Sequence, residues 1–146
     1  MRKYYIFNIK EEFIKLYKDE PDKLFNIFNR INNLRVIDKT YGYNLFTQIC
    51  VFNNKKNINN FIKNKYQNKL IYSNSESEHI INNIFLNEIS ILKINYSNIK
   101  LETNNDSSDF LKALKDYSNN FFVCDFDNKD YYFLKKYKDK KDKTTC

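Results

Sequence analysis

The sequence predicts a single α+β domain in which a small, mostly antiparallel sheet is flanked by helices. Short apolar runs near both ends of the chain are typical of strands, whereas other segments carry apolar residues at helical spacing. The chain has 146 residues, 42% of them hydrophobic, which is enough for one buried core. No linker divides it, so we expect one domain over residues 1–134 and a lysine-rich, disordered tail over residues 135–146.

The first part of the chain predicts a strand followed by two helices. Residues 3–10 form a strand that is apolar on both faces, as expected for a strand covered on both sides. Glu11 and Glu12 begin the first helix, because acids favour the positive end of a helix dipole. Pro21, the only proline, suits the first turn of a second helix, which ends at the asparagine pair 32–33.

The middle of the chain predicts one strand and two further helices. Residues 40–52 read as a strand that bends at Gly42, the only glycine. Residues 53–68 are polar with sparse apolar positions and predict a helix. The serines of residues 73–78 indicate a loop that caps a helix reaching Leu86.

The last part predicts two hairpins separated by a helix. The first hairpin has strands over residues 89–95 and 98–103, and Ser107 or Ser108 then caps a helix that ends at Tyr117. The second hairpin comprises a strand over residues 121–126, a turn at residues 127–128 and a return strand over residues 130–134.

The formal net charge of +7 makes nucleic-acid binding an alternative function. Much of the excess charge lies in residues 135–146, where lysines outnumber acids. Basic and aromatic residues also interleave in "FIKNKYQNK", residues 61–69, a pattern that single-strand binders use for stacking and phosphate contact. A solvated surface rich in asparagine and lysine is the simpler explanation of this segment.

Residue types that carry catalysis are few and scattered. Cys50 and Cys124 lie in apolar runs and are expected to be buried thiols, and the three cysteines lack metal-ligand spacing. His79, the only histidine, is expected to be exposed and isolated. One glycine cannot build a glycine-rich phosphate loop. We therefore expect no catalytic residue, no metal, no cofactor and no enzymatic activity.

The apolar runs are too short to cross a bilayer, and the apolar stretch near the N-terminus is too short for a secretory signal. We expect a cytoplasmic protein. On the same ground we expect no membrane partner.

The first helix carries more apolar surface than a short helix needs for burial on one side. Phe13, Ile14, Leu16 and Tyr17 span about 160° of its circumference. We assign Ile14 and Leu16 to the core. Phe13 and Tyr17 lie on one side, four residues apart, and are candidates for partner binding, since aromatic pairs bury a large area with few rotatable bonds.

These residues are also where the chain resembles a known family, the sporulation inhibitor of replication family, SirA. The resemblance rests on the Tyr4–Tyr5 pair, "IKEEF" from residue 9, Tyr17 and "LFNIF" from residue 24. Near the other end, "FFVCDFDNKDYYFL" from residue 121 is similar to the closing hairpin of the family.

The resemblance implies a small cytoplasmic inhibitor that binds the N-terminal domain of the bacterial replication initiator DnaA and blocks its action at the origin during sporulation. It implies that Phe13 and Tyr17 contact the initiator. It further implies a polar contact near Gln48, in what we predict to be the second strand region.

Overall fold

The structure is a computed structural model that describes residues 1–34, 39–75 and 77–135, in which seven strands form one sheet with five helices packed against it. The strands are β1 (Arg2–Asn8), β2 (Tyr72–Asn74), β3 (Glu78–Asn83), β4 (Glu88–Ile94), β5 (Ile99–Thr103), β6 (Phe121–Asp125) and β7 (Asp130–Leu134). The helices are α1 (Glu11–Tyr17), α2 (Pro21–Asn32), α3 (Lys39–Ile49), α4 (Lys55–Tyr66) and α5 (Asp109–Tyr117).

The strand order is β2-β3-β4-β5-β1-β6-β7, and every neighbouring pair is antiparallel. The predicted α+β class and single domain are therefore confirmed. The predicted disordered tail lies outside the described residues from position 136 onward, and the domain boundary at residue 134 stays a prediction.

Strand β1 lies inside the sheet and buries side chains on both faces, as its sequence predicts. Tyr4 and Ile6 belong to a core formed with α4 and α5, whereas Phe7 belongs to a second core formed with α2 and α3. Ile6 pairs with Ile99 of β5 on one side and with Val123 of β6 on the other. The two hydrophobic cores are thus built on opposite faces of one sheet.

Several predicted elements form where the sequence places them. Helix α2 begins at Pro21, and Ser108 caps α5 by accepting a hydrogen bond from the Phe110 amide at 3.3 Å. Both predicted hairpins form, β4 with β5 and β6 with β7. Cys50 and Cys124 are buried as expected, and burial raises the pKa of both thiols.

The predicted strand over residues 40–52 is wrong, because most of this segment is helix α3. Its aromatic and β-branched residues favour a strand locally, but the buried positions Gly42, Phe46 and Ile49 recur at helical spacing, and Phe46 and Ile49 belong to the core formed with α2. Gly42 makes no bend. A side chain there would meet Leu34, with the Cβ only 2.6 Å from the Leu34 Cδ1, so glycine lets α3 approach the end of α2 closely.

The predicted helix reaching Leu86 is also wrong. Strands β2 and β3 occupy most of this region, and Tyr72 pairs with Ile81 across them. His79 and Ile81 are buried while their neighbours are more exposed, which is the period-two pattern of a strand. The serines of residues 73–78 lie in strand β2 and the connection between the strands rather than at a helix start.

Arg2 joins three elements at one end of the sheet. Its guanidinium lies 2.8 Å from carboxylate oxygens of Asp106 and of Asp125, and 3.3 Å from Asp130. The Asp125 side chain is only 1% exposed. Burial raises the pKa of Asp125, but hydrogen bonds from Asn128 and Arg2 outweigh burial and hold the pKa below its usual value.

His79 is buried, 4% exposed, so the expectation of an exposed histidine is wrong. Its Nδ1 lies 2.6 Å from the Tyr72 Oη, and its Nε2 lies 2.7 Å from the Asn59 Oδ1. Because the Asn59 oxygen can only accept, Nε2 carries the proton and donates, and Nδ1 accepts from the Tyr72 hydroxyl. A neutral imidazole therefore satisfies all three side chains and ties β2 and β3 to α4.

Burial, with a smaller contribution from Lys63, lowers the pKa of His79 from 6.5 to about 4. Between these two pKa values the unfolded chain binds a proton at His79 that the folded chain does not bind. The free energy of unfolding therefore falls as the pH drops below 6.5. We expect a loss of about 2 kcal/mol in the free energy of unfolding between pH 7 and pH 5. Urea unfolding across this range measures it. A variant with His79→Gln should lose much less stability over the same interval, and an equal loss in both proteins would contradict the assignment.

Candidate protein-binding site

Helix α1 is held at the junction of β1 and the end of α3. The Lys10 amide donates to the Ile49 carbonyl at 2.8 Å, and Ile9 forms a bridge with Cys50. Glu11 and Glu12 occupy the first turn, as predicted from the helix dipole. These backbone contacts fix the helix, although no residue of α1 is fully buried.

The faces of α1 follow from its spacing of about 100° per residue. Ile14, Phe13 and Tyr17 are half-buried and pack against the core formed with α2 and α3. Leu16 is 62% exposed, so its assignment to the core is wrong. Leu16 lies about 60° to one side of Phe13, away from Ile14, and this rotation turns it towards solvent.

Phe13 and Tyr17 lie side by side, with ring centroids 6.5 Å apart and ring planes within 14° of parallel. With Leu16 they form a continuous apolar surface, which we call the α1 patch (Phe13, Leu16 and Tyr17). Sequence reasoning missed Leu16 because spacing alone does not show which edge of a short amphipathic stripe faces the sheet.

Gln48 lies on helix α3 rather than on a strand, and it is exposed. Its neighbour Ile49 accepts the hydrogen bond from the Lys10 amide, and the Lys10 carbonyl accepts from the Phe13 amide at 2.9 Å. These backbone bonds hold the end of α3, which carries Gln48, near the start of α1.

Two further exposed apolar residues, Val51 and Phe52, follow α3 and were missed by sequence reasoning. The Val51 amide donates to the Asn8 carbonyl at 2.8 Å, which holds this segment beside the end of β1. The Phe52 ring lies 6.2 Å from the exposed ring of Tyr43. Both residues lie in the segment that the sequence predicts to be a strand.

Charges of both signs surround the α1 patch. Glu11, Glu12, Lys15 and Lys18 of the helix and its flank are exposed. An apolar centre with a mixed charged rim is the composition of transient protein interfaces, in which the rim sets orientation and the apolar residues supply affinity.

The polar cluster most like a reaction centre is inaccessible. The Glu88 carboxylate accepts from the Ser90 hydroxyl at 2.5 Å and from the Ser108 hydroxyl at 2.9 Å, and Thr103 lies 2.8 Å from Ser90. All four side chains are buried, so a substrate cannot reach them, and their bonds join α5 to the sheet. Among residues 1–34, 39–75 and 77–135, no three His, Cys, Asp or Glu side chains converge as metal ligands.

In the described part of the chain, no helix has the length and apolar character needed to cross a bilayer. The structure is a small α+β domain that presents an apolar helix face at its surface. A comparison with protein-family models matches residues 2–138 to the sporulation inhibitor of replication protein SirA. Because the match covers nearly the whole chain, the protein belongs to the SirA family, a regulatory family of sporulation inhibitors of replication. No curated protein matches the chain by sequence.

Proposed function

We propose that this protein inhibits the initiation of replication by docking the α1 patch on the N-terminal domain of the bacterial initiator DnaA, with Gln48 as a polar contact at the edge. The complex keeps the initiator from acting at the origin when the cell commits to sporulation. Since the initiator acts on the chromosome, the complex forms in the cytoplasm. The protein acts by binding and not by catalysis.

The observation that carries the proposal is the exposure of Leu16 on the same short helix as the half-buried rings of Phe13 and Tyr17. An isolated exposed leucine is ordinary, but a leucine adjoining two aromatic rings on a fixed helix makes a contiguous apolar surface. Such residues supply most of the affinity in protein interfaces when a partner excludes water from them. The fixed backbone of α1 keeps the entropic cost of binding small.

Titration calorimetry of the full chain against the initiator's N-terminal domain from the same organism tests the proposal. We expect a one-to-one complex whose affinity changes little between low and high salt, because apolar contacts dominate. A demonstrably folded chain that gives no binding heat at two temperatures would overturn the proposal. The second temperature guards against a binding enthalpy that is zero by coincidence.

Nucleic-acid binding stays the second candidate, favoured by lysines on one helix. Lys55 and Lys56 begin α4, and Lys63 and Lys65 lie in its last turn. Lys65 is already paired with Asp116 at 2.9 Å, which reduces the charge available to phosphates. This alternative predicts DNA affinity that falls steeply with salt and is largely lost when residues 135–146 are removed.

A further inference from the structure

The turn between β3 and β4 carries a cluster of strongly exposed apolar side chains. Ile84, Phe85 and Leu86 are consecutive and are 84%, 97% and 68% exposed. We call these three residues the hairpin tip. Leu70 is fully exposed and lies beside it, because the Asn82 amide donates to the Ile71 carbonyl at 2.9 Å. An apolar protrusion of this size on a soluble domain indicates a binding surface.

The turn is held rigidly by side-chain amides. The Asn83 Oδ1 accepts from the amides of Phe85 at 3.1 Å and of Leu86 at 3.3 Å. The Asn104 side chain accepts from the Ile89 amide at 2.9 Å and donates to the Asn87 carbonyl at 3.0 Å. The backbone of the tip is therefore preorganised, so binding through its apolar side chains costs little backbone conformational entropy.

The same hydrogen bonds also indicate which kind of environment the hairpin tip can occupy. The amides of Phe85, Leu86, Asn87 and Ile89 all have partners within the hairpin region, the Asn87 amide donating to the Ile84 carbonyl at 3.2 Å. Residues 82–87 carry no charge. Because these amides are paired and the turn carries no charge, its apolar side chains can be buried in an apolar medium at little cost in lost amide hydrogen bonds.

We propose that the hairpin tip inserts into the interfacial region of a lipid bilayer and attaches the protein to a membrane surface. Consecutive side chains on a turn diverge, and lipid accommodates diverging side chains without a shaped pocket. The net charge of +7 adds attraction to anionic lipids. The earlier expectation of no membrane partner rested on the lack of a spanning segment, which surface attachment does not require.

The position of the tip leaves the α1 patch free. Ser90, near the start of β4, pairs with Thr103 of β5, and Thr103 pairs with Arg2 at the start of β1. Helix α1 follows the other end of β1, after Asn8. The two surfaces thus lie at opposite ends of the sheet, separated by about 20 Å along the strands. A protein attached through the tip can bind a second partner through α1.

Vesicle flotation with the full chain tests attachment. We expect binding to phosphatidylcholine vesicles and stronger binding when about a third of the lipid is phosphatidylglycerol, an arbitrary but substantial anionic fraction. Phe85→Ser with Leu86→Ser should weaken binding to both at least about tenfold. Tyr41→Ser, at an exposed tyrosine on α3, is the matched control and should bind like the original chain.

The absence of tryptophan from the sequence permits a direct reading of depth. Phe85→Trp should give a blue shift of emission on binding and quenching by brominated lipids, whereas Tyr41→Trp should show neither. Three results would overturn the proposal. The first is that the chain binds no vesicles, and the second is that it binds only anionic vesicles, through an attraction that salt abolishes and that the double serine variant keeps. The third is that the chain self-associates without lipid and that the double serine variant does not. The last would assign the tip to a second copy of the chain.

Discussion

Replacing Tyr17 with alanine is expected to weaken binding to the initiator's N-terminal domain by about 2–3 kcal/mol, or roughly 30- to 150-fold in dissociation constant. The Tyr17 ring lies beside the Phe13 ring and is half-buried against the core, so its position is largely fixed before binding. Truncation removes contact area and also lets the Phe13 ring move, because its neighbour is lost. Calorimetric titration of the variant gives the change in affinity.

Two controls separate a lost interface from a damaged fold. Tyr41→Ala removes a tyrosine that is 61% exposed on α3 and should leave the affinity nearly unchanged. Thermal unfolding of the Tyr17→Ala variant should show a cooperative transition, since a half-buried side chain at the rim of a core contributes less than a central one. An unfolded variant would assign Tyr17 to the core, and unchanged affinity in a folded variant would contradict the proposed site.

Replacing Arg2 with methionine is expected to lower the free energy of unfolding by about 3 kcal/mol. Methionine keeps the apolar part of the side chain but leaves the Asp125 carboxylate buried without its guanidinium partner, 2.8 Å away in the original protein. The Asn128 side chain, 2.8 Å from the same carboxylate, stays as partial compensation. Urea unfolding at pH 7 measures the loss.

The matched control is Lys100→Met, which removes a looser pair with Glu102 at 3.4 Å and should cost less than about 1 kcal/mol. Adding Asp125→Asn to the Arg2→Met variant should recover part of the lost stability, because the unpaired charge is then gone. If Arg2→Met costs no more than Lys100→Met, the buried pair does not hold this end of the sheet together.

The parts of the fold that sequence predicts correctly are those in which local pattern and tertiary packing agree. Strand β1 is apolar on both faces and is buried on both faces. Helix α2 has a proline at its start and a broad apolar stripe, and the strands of both predicted hairpins are separated by polar turns. At each of these places the local signal needs no information from the rest of the chain.

The errors arise where packing overrides local preference. Helix α3 is rich in residues that favour strands, yet Phe46 and Ile49 must reach the same core. The burial of His79 depends on Asn59, twenty residues away, which no local pattern reveals. The exposure of Leu16 likewise depends on which side of α1 meets the sheet.

The sequence supplies only some residues of the candidate site, because it assigns Leu16 to the core, and it does not supply the site's geometry. Phe13 and Tyr17 follow from spacing and from the family resemblance, whereas the proximity of Gln48 depends on the backbone bond between Lys10 and Ile49. The sequence does not predict the hairpin tip, because its pattern predicts a helix that reaches Leu86. Three consecutive apolar residues on a helix would not all be exposed on one side.

A map of backbone amide shifts in the isotopically labelled chain, recorded as the initiator's N-terminal domain is added, locates the docking surface. We expect the large changes to fall on α1 and on the end of α3, near Phe13, Tyr17 and Gln48, while α4 and the hairpin tip are unaffected. Changes centred on α4 or on the hairpin tip, with α1 undisturbed, would contradict the claim that this family member docks through its first helix.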